Sequence, residues 1–400
     1  MKTKNITANT GCSRITHCYI GRKRKGYDGE TGGSITSIIY CMKKKLNIAF
    51  AGWGTGWHVT PISSLIEYAH TQPDIMDQIW GLFWFGSRGQ LEETFANNFP
   101  DVHFAAIKSG KMRRYWTVRS TLENLRDVAY FNAGYIQSLY LLKQHKIDAL
   151  FCKWWYVALP VSFAAATLRI PIIVHESDSH PGLVNKLVSK FARKNFDWFP
   201  DVLKNSTHVG QILSPNLMKN NWDMDLFTLD GNKKTLLVIC WSQGSKAVFE
   251  EIRKQLDTWW QVVKELNIVI ILWLLNKKYK KIFEPYIQVT TFDFLDSFQL
   301  AELYKITDIA VTRGSATTLA ELELFGIPKI IIPLPSHDQP LNAAWYRANK
   351  WDIVVAQNNI SEMIPAVQHH LEHAQNKSLR DNDTLLEPHK AIWETLLKKI

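Results

Sequence analysis

In three stretches of this 400-residue chain a hydrophobic, strand-like run breaks off into a short loop-like segment. The first, Ala51-Gly52-Trp53-Gly54-Thr55-Gly56-Trp57-His58, lies between a strand-like run at 46–50 and a helical pattern at 59–70. The second, Lys153-Trp154-Trp155-Tyr156, follows a strand-like run at 147–152. The third, Cys240-Trp241-Ser242-Gln243-Gly244-Ser245, follows the run at 235–239 and opens another helical pattern. A strand, a glycine-rich turn and a helix start together make an anion site, because free backbone N–H groups and the helix dipole point the same way. Such a turn needs residues without a Cβ so that the backbone can approach its ligand. Yet tryptophan stands in all three.

With glycine at those tryptophans the strings read GGGTGGH, KGGYV and CGSQGS. In this order they resemble the three glycine-rich loops of the MurG family, the UDP-N-acetylglucosamine:lipid I N-acetylglucosaminyltransferases of bacterial cell-wall synthesis. Further segments carry the same resemblance. They are Pro171-Ile172-Ile173-Val174-His175-Glu176-Ser177-Asp178 with Pro181-Gly182-Leu183-Val184-Asn185, and Phe196-Asp197-Trp198-Phe199-Pro200. Downstream come Thr312-Arg313-Gly314-Ser315-Ala316-Thr317-Thr318-Leu319-Ala320-Glu321 and His337-Asp338-Gln339-Pro340-Leu341-Asn342-Ala343. The resemblance runs from about Met42 to the C-terminus.

The codon UGA specifies glycine in some bacterial lineages and tryptophan in others, so we read the loop tryptophans as UGA glycines written as tryptophan. Composition agrees: 16 Trp and 20 Gly in 400 residues are about 4% and 5%, against a usual glycine share of about 7%. Trp53, Trp57, Trp154, Trp155, Trp198, Trp241, Trp273 and Trp351 are the suspect positions, whereas Trp84, Trp116 and Trp345 sit in aromatic or amphipathic surroundings. The other reading is a divergent homologue with real tryptophans, a UDP-sugar-binding protein without activity.

The resemblance implies roles residue by residue. Ser242, Gln243 and Gly244 fall in the loop that receives the donor diphosphate. Glu321 would take the ribose hydroxyls of UDP, a task suited to a carboxylate that accepts two hydrogen bonds from a vicinal diol. Gln339 would recognise the donor sugar, and Arg313 would neutralise phosphate or fix a loop. His58 is the candidate general base, or the group that orients the acceptor C4 hydroxyl, since imidazole titrates near neutrality. Thr55, Gly56, Trp57, Asp178 and Asn185 would line the acceptor side. No Asp-x-Asp cluster sits in a suitable loop, so neither a metal nor another cofactor is expected. One departure stands out: where the family often has Gly-Asn-Pro-Val-Arg, this chain has Gly210-Gln211-Ile212-Leu213-Ser214, without the arginine.

Length and a 46% apolar composition suit two domains with their own cores. No apolar run reaches the 18 or so residues that span a bilayer, and the N-terminus lacks the apolar core of a secretory signal. Of five cysteines, Cys12, Cys18 and Cys41 show no metal spacing, and Cys152 and Cys240 end strand-like runs as buried thiols. Residues 1–41 are polar and basic without apolar periodicity, and they supply half of the +10 net charge. We read them as a disordered or mis-annotated extension ahead of a natural start at Met42, and their basicity as solvated tail rather than a nucleic-acid site.

Beyond Met42, strands alternate with helices, which argues for parallel sheets. Strand patterns occur at 46–52, 78–86, 149–153, 171–175, 195–199 and 207–210, and again from 235, at 268–275, 290–293, 309–312 and 329–333. The expected architecture is α/β, the GT-B arrangement of two doubly wound Rossmann-like domains facing a central cleft. Residues 42–210 form the acceptor and membrane domain, 211–232 a linker, 233–378 the UDP-sugar domain, and 379–400 a helix that crosses back to the first domain. Met112 with the basic and aromatic residues Arg113, Arg114, Tyr115, Trp116 and Arg119 forms the expected contact with an anionic inner-membrane surface. The implied activity is inverting transfer of N-acetylglucosamine from UDP-N-acetylglucosamine to lipid I, forming lipid II. It would take place peripherally on the cytoplasmic side of the plasma membrane, alongside other cell-wall synthesis proteins. A second reading is another GT-B enzyme glycosylating a diacylglycerol lipid.

Overall fold

The computed structural model describes residues 18–21, 38–41, 44–52, 56–110, 118–153, 156–219, 227, 229–240, 245–272, 278–335, 338–350, 352–373 and 382–398, with backbone alone for 18–21, 38–41, 56–59, 118–125, 218, 382 and 383. Inside the stretch expected to carry no elements, β1 (Cys18–Gly21) and β2 (Ile38–Cys41) pair as a small antiparallel ribbon.

The first domain runs β3 (Leu46–Gly52), α1 (Gly56–His70), α2 (Pro73–Met76), β4 (Ile79–Gly86), α3 (Leu91–Ala96), β5 (Val102–Ala106), α4 (Val118–Gln144), β6 (Ala149–Lys153), α5 (Ala158–Thr167), β7 (Ile172–Glu176), α6 (Leu183–Val188), β8 (Lys194–Asp197) and β9 (Ser206–His208). Its seven strands are parallel in the order β5-β4-β3-β6-β7-β8-β9. The inner strands are mostly apolar because helices cover both faces, and all five residues of β6 and of β7 are buried, including the polar ones at their carboxyl ends. β5 escaped the sequence reading because this edge strand is only half-buried and lacks an apolar run.

The second domain repeats the pattern with β10 (Lys234–Ile239), α7 (Ser245–Thr258), α8 (Trp260–Val263), β11 (Leu266–Ile271), α9 (Lys278–Phe283), β12 (Val289–Phe292), α10 (Ser297–Ile306), β13 (Ile309–Thr312), α11 (Ala316–Leu324), β14 (Lys329–Ile331), α12 (Gln339–Lys350), β15 (Ile353–Val354) and α13 (Met363–Glu372). Its parallel order is β12-β11-β10-β13-β14-β15. In both sheets the strand order reverses beside the first strand, at β3/β6 and β10/β13. Ligands of doubly wound sheets bind outside the carboxyl ends of the strands at that point.

The last helix, α14 (Asn382–Leu397), belongs to both domains. Leu385 lies in the core of the second domain with Leu237 and Tyr304. Ile392, Trp393 and Leu396 lie in the core of the first with Ile48, Phe50 and Phe151. The Trp393 indole N–H donates to the Leu65 carbonyl at 2.9 Å, so a buried polar group is satisfied across the contact. Pro388 of the same helix packs 3.4 Å from where a Cβ on Gly210 would stand, and Gly210 has φ +97°, a conformation suited to glycine.

A smaller apolar cluster joins the domains directly. Phe199, just after β8, packs with Ala316, Leu319, Ala343 and Tyr346. Trp198 lies beside it, its ring 4.5 Å from Phe199 and 5.9 Å from Tyr346. As an indole, this suspect position is accommodated. Trp84 is fully buried and Trp345 half-buried. Trp53, Trp154, Trp155, Trp241, Trp273 and Trp351 lie outside the described residues, as does Trp116, and Trp57 is described in backbone only. Cys152 and Cys240 are buried free thiols, pushed up to about 11 by burial.

Candidate active site

The two rows of strand ends meet at one hydrogen-bonded node. Asn342, in the first turn of α12, is fully buried and uses both ends of its amide. Its Nδ2 donates to Asp178 Oδ1 at 2.7 Å and to the Gly314 carbonyl at 3.1 Å. Its Oδ1 accepts from the backbone N–H and the hydroxyl of Ser179, both at 2.8 Å. Asp178 and Ser179 follow β7 of the first domain, and Gly314 follows β13 of the second. The carboxyl ends of the two sheets therefore face one another, and the domains are clasped there. Burial raises the Asp178 carboxyl; the Asn342 donor opposes this, Asp338 adds to it, and Lys153 opposes it.

Beneath the clasp on the first domain is a buried charged network. Lys153 ends β6 at 1% exposure, and His175 and Glu176 end β7 fully buried. The Lys153 ammonium donates to His175 Nδ1 at 2.7 Å and to the Ser177 hydroxyl. His175 Nε2 lies 2.9 Å from the Gly210 carbonyl. An ammonium on one ring nitrogen and a carbonyl on the other fix a neutral imidazole with its proton on Nε2. Burial, then the Lys153 charge, hold its pKa well down. Glu176 accepts from the N–H groups of Ser177 and Asp178 through Oε1, and from Gly182 N–H and Asn185 Nδ2 through Oε2, at 2.7 to 3.1 Å. Burial and the neighbouring Asp178 push its carboxyl up, while four N–H donors satisfy only the charged form. Burial lowers the Lys153 ammonium, which Glu176 and Asp178 in turn support. Ser177 donates to Gln211 at 2.8 Å, so the network also grips the start of the interdomain connection.

The second domain presents the loop after β13 and the start of α11. Thr312 ties that strand end to β10 by donating to the Ile239 carbonyl at 2.8 Å. A Cβ on Gly314 would meet the Gln339 carbonyl at 2.5 Å, so α12 can approach this closely only over glycine. Gln339 Oε1 accepts from the N–H groups of Gly314 and Leu334 at 3.2 and 3.0 Å and pins the two loops together. Glu321, on α11, is 9% exposed. Its Oε2 accepts the Tyr304 hydroxyl at 2.9 Å, and burial raises its pKa to about 7.

This fold serves more than one chemistry. The structure resembles Acinetobacter baumannii MurG with a TM-score of 0.64 at 19% identity, over 88% of this chain and all of that one. It also resembles Neisseria meningitidis UDP-GlcNAc 2-epimerase bound to UDP-GlcNAc, at 0.62 and 14% identity, over 88% of this chain and all of that one. Shape alone does not choose between them; sequence does. Residues 48–196 match the glycosyltransferase family 28 N-terminal domain and residues 235–396 its C-terminal domain. The UDP-N-acetylglucosamine--N-acetylmuramyl-(pentapeptide) pyrophosphoryl-undecaprenol N-acetylglucosamine transferase of Staphylococcus carnosus is 36% identical over 297 residues, 72% of this chain and 77% of its own length. Its counterpart in Staphylococcus haemolyticus is 32% identical over 331 residues, 79% and 88%. The chain belongs to the MurG family.

Several residues that the MurG resemblance singled out fall outside the described part of the chain: Thr55, Ser242, Gln243, Gly244, and residues 112–116 of the basic aromatic segment. For Gly56, Trp57, His58 and Arg119 the backbone alone is described, and it places the first three in the opening turn of α1, after β3. Asp178 and Arg313 follow β7 and β13, Gln339 opens α12, and Glu321 lies in the second turn of α11. Two expectations change in detail. Asn185 is fully buried and braces Glu176 and the His175 carbonyl instead of lining the acceptor side. Arg313 is 2% exposed and donates through Nη1 to the Ile332 carbonyl and Gln357, both at 2.9 Å, which is the loop-fixing alternative. Where the family often has arginine, Ser214 instead donates to Glu67 of α1 at 3.2 Å and joins the two domains. Sequence reasoning quoted Lys153 and Asn342 within motifs without foreseeing the buried network or the clasp, and it did not single out Tyr304. A lysine ending an otherwise apolar strand was the one available signal.

Proposed function

We propose that the chain transfers N-acetylglucosamine from UDP-N-acetylglucosamine to N-acetylmuramyl-(pentapeptide) pyrophosphoryl-undecaprenol, the lipid I substrate, to give lipid II for peptidoglycan. The observation that carries this is 36% identity to a transferase of that name over most of both chains, joined to a cleft in which the two sets of strand ends face each other. The acceptor C4 hydroxyl attacks the anomeric carbon as the bond to UDP breaks, so configuration inverts and UDP leaves. His58 takes the hydroxyl proton or orients the C4 hydroxyl for attack. Ser242, Gln243 and Gly244 receive the donor diphosphate, Glu321 the ribose and Gln339 the sugar. Asp178 belongs to the acceptor side, its charged form favoured by the Asn342 donor and then by Lys153.

The acceptor is a lipid, and no helix among the described residues is long and apolar enough to cross a membrane. The reading is therefore a peripheral enzyme on the cytoplasmic membrane face. One exposed surface suits it. Phe163 and Phe191 are each 39% exposed and Leu183 45%, and exposed Arg169, Lys186, Lys190 and Arg193 lie close by in sequence. Phe131, Phe163 and Phe191 form one row, with ring centroids 6.0 and 5.3 Å apart. Apolar rings among cations favour anionic bilayers. With residues 112–119 they make the proposed contact.

UDP release measured with and without lipid I tests the reaction. Release that requires lipid I is expected, and His58→Ala should abolish turnover while leaving UDP binding nearly intact. Release indifferent to lipid I sinks the assignment.

A further inference from the structure

Tyr304 is fully buried on α10, the helix before β13, and reaches the site only through its hydroxyl. The helix is rigidly started by a capping box in which Asp296 and Gln299 satisfy each other's backbone N–H groups. The ring is fixed in turn by Phe325, with centroids 5.3 Å apart. The phenol stays protonated, because burial and the facing carboxylate raise its pKa well above the ordinary value. It therefore acts as a donor, and its hydrogen bond goes to Glu321 Oε2 at 2.9 Å. Among the described residues the other oxygen, Oε1, has no hydrogen-bond partner. A glutamate held at one oxygen by a rigid donor offers the other in a fixed direction.

We propose that Tyr304 is a positioning residue of the nucleotide site, holding one oxygen of the Glu321 carboxylate so that the other is presented, charged, to the ribose diol. The inference rests on the assignment of Glu321 to the ribose. It assigns the phenol a part in telling ribose from deoxyribose without any contact to the ligand. Burial and the Tyr304 hydroxyl are the influences acting on the Glu321 carboxyl, burial raising it and the hydroxyl lowering it. Loss of the hydroxyl therefore favours the protonated acid, which offers the diol a poorer acceptor.

The experiment is calorimetric titration of the full chain with UDP and with 2′-deoxy-UDP between pH 6 and 9, for wild type, Tyr304→Phe and Glu321→Gln. Wild type should prefer UDP and lose affinity as the pH falls through about 7. Tyr304→Phe should bind UDP roughly tenfold more weakly near neutrality, as expected for a lost hydrogen bond to a charged group. Its acid limb should move to higher pH, and its preference for UDP over 2′-deoxy-UDP should shrink. Glu321→Gln should bind weakly with a flat pH profile. If Tyr304→Phe keeps both the wild-type preference and the wild-type limb while Glu321→Gln loses them, the role of Tyr304 is overturned and the ribose assignment stands. If wild type itself shows no preference and Glu321→Gln changes nothing, the ribose assignment fails and takes this inference with it. A thermal melt of each variant separates loss of fold from loss of recognition, because destabilisation alone moves neither the preference nor the limb.

Discussion

Asn342→Asp turns the interdomain clasp into a proton switch. The substitution keeps the shape of the side chain but replaces its Nδ2 donor, 2.7 Å from Asp178, with a carboxylate oxygen. Two carboxylates about 4 Å apart repel by about 4 kcal/mol at an effective dielectric constant near 20, which raises the shared pKa by about 3 units. Wild-type Asp178 already sits at about 6, so in the closed variant the pair should hold one proton up to about pH 9. In the open form each carboxyl faces water and titrates near an ordinary value of about 4. The closed state thus binds the proton more tightly, so closure is favoured below the open-state pKa and lost as pH rises towards the closed-state one. At pH 8 uptake of that proton recovers about 1.4 kcal/mol of the repulsion, so the charge pair alone should make the variant close about 3 kcal/mol less favourably than wild type, roughly a hundredfold in the equilibrium. At pH 5 the shared proton restores the bond. There a deficit of about 1 kcal/mol should remain, from the Gly314 carbonyl that has lost its donor. Small-angle X-ray scattering at both values reads the outcome directly. The variant should be more extended than wild type at pH 8 and match it at pH 5. Scattering curves that superimpose at both would show that the clasp does not hold the domains together.

Lys153→Met removes the cation that lowers the pKa of both Glu176 and Asp178. The acid limb of the kcat/KM profile should therefore move to higher pH, and an unmoved limb would make Lys153 only a strut. Trp393→Ala empties a fully buried site and removes the indole bond to the Leu65 carbonyl, which should cost about 3–5 kcal/mol in urea unfolding; a loss below about 1 kcal/mol would mean that α14 is not integral to the first domain. Peptide mass spectrometry of the protein from its own host should find glycine at positions 53, 57, 154, 155 and 241, and tryptophan there would favour an inactive homologue. The nucleotide-binding outcomes above are those of the chain as its own host translates it.

The architecture was legible because inner parallel strands are continuous apolar runs, and β3, β6 and β13 fall at the residues that pattern marks. Elements that bury little left weaker signals: β5 is a half-buried edge and β15 has two residues. The candidate residues were readable one at a time as motif positions, but their partners were not. Asp178 and Asn342 meet across 164 positions, and Lys153 meets His175 across 22. Nothing in a local window shows that one side chain will take up the hydrogen-bonding capacity of another. Arg313 illustrates the limit. A cation ending a strand suits either a phosphate or a carbonyl, and the carbonyl and amide that Arg313 reaches belong to residues 19 and 44 positions away.

The placement of α14 sets the order in which the molecule can be completed as it is made. One face of the first sheet, around Ile48, Phe50 and Phe151, is closed by Ile392, Trp393 and Leu396. A ribosome adding about 5–20 residues per second finishes residue 210 roughly 10–40 s before it reaches 393. For that interval the first domain has its strands and α1 but lacks the rest of that cover, and an exposed apolar face of this kind invites chaperones or aggregation. A stop codon shortly after residue 378 would leave the second domain most of its residues, yet the first domain would be the one left unfinished.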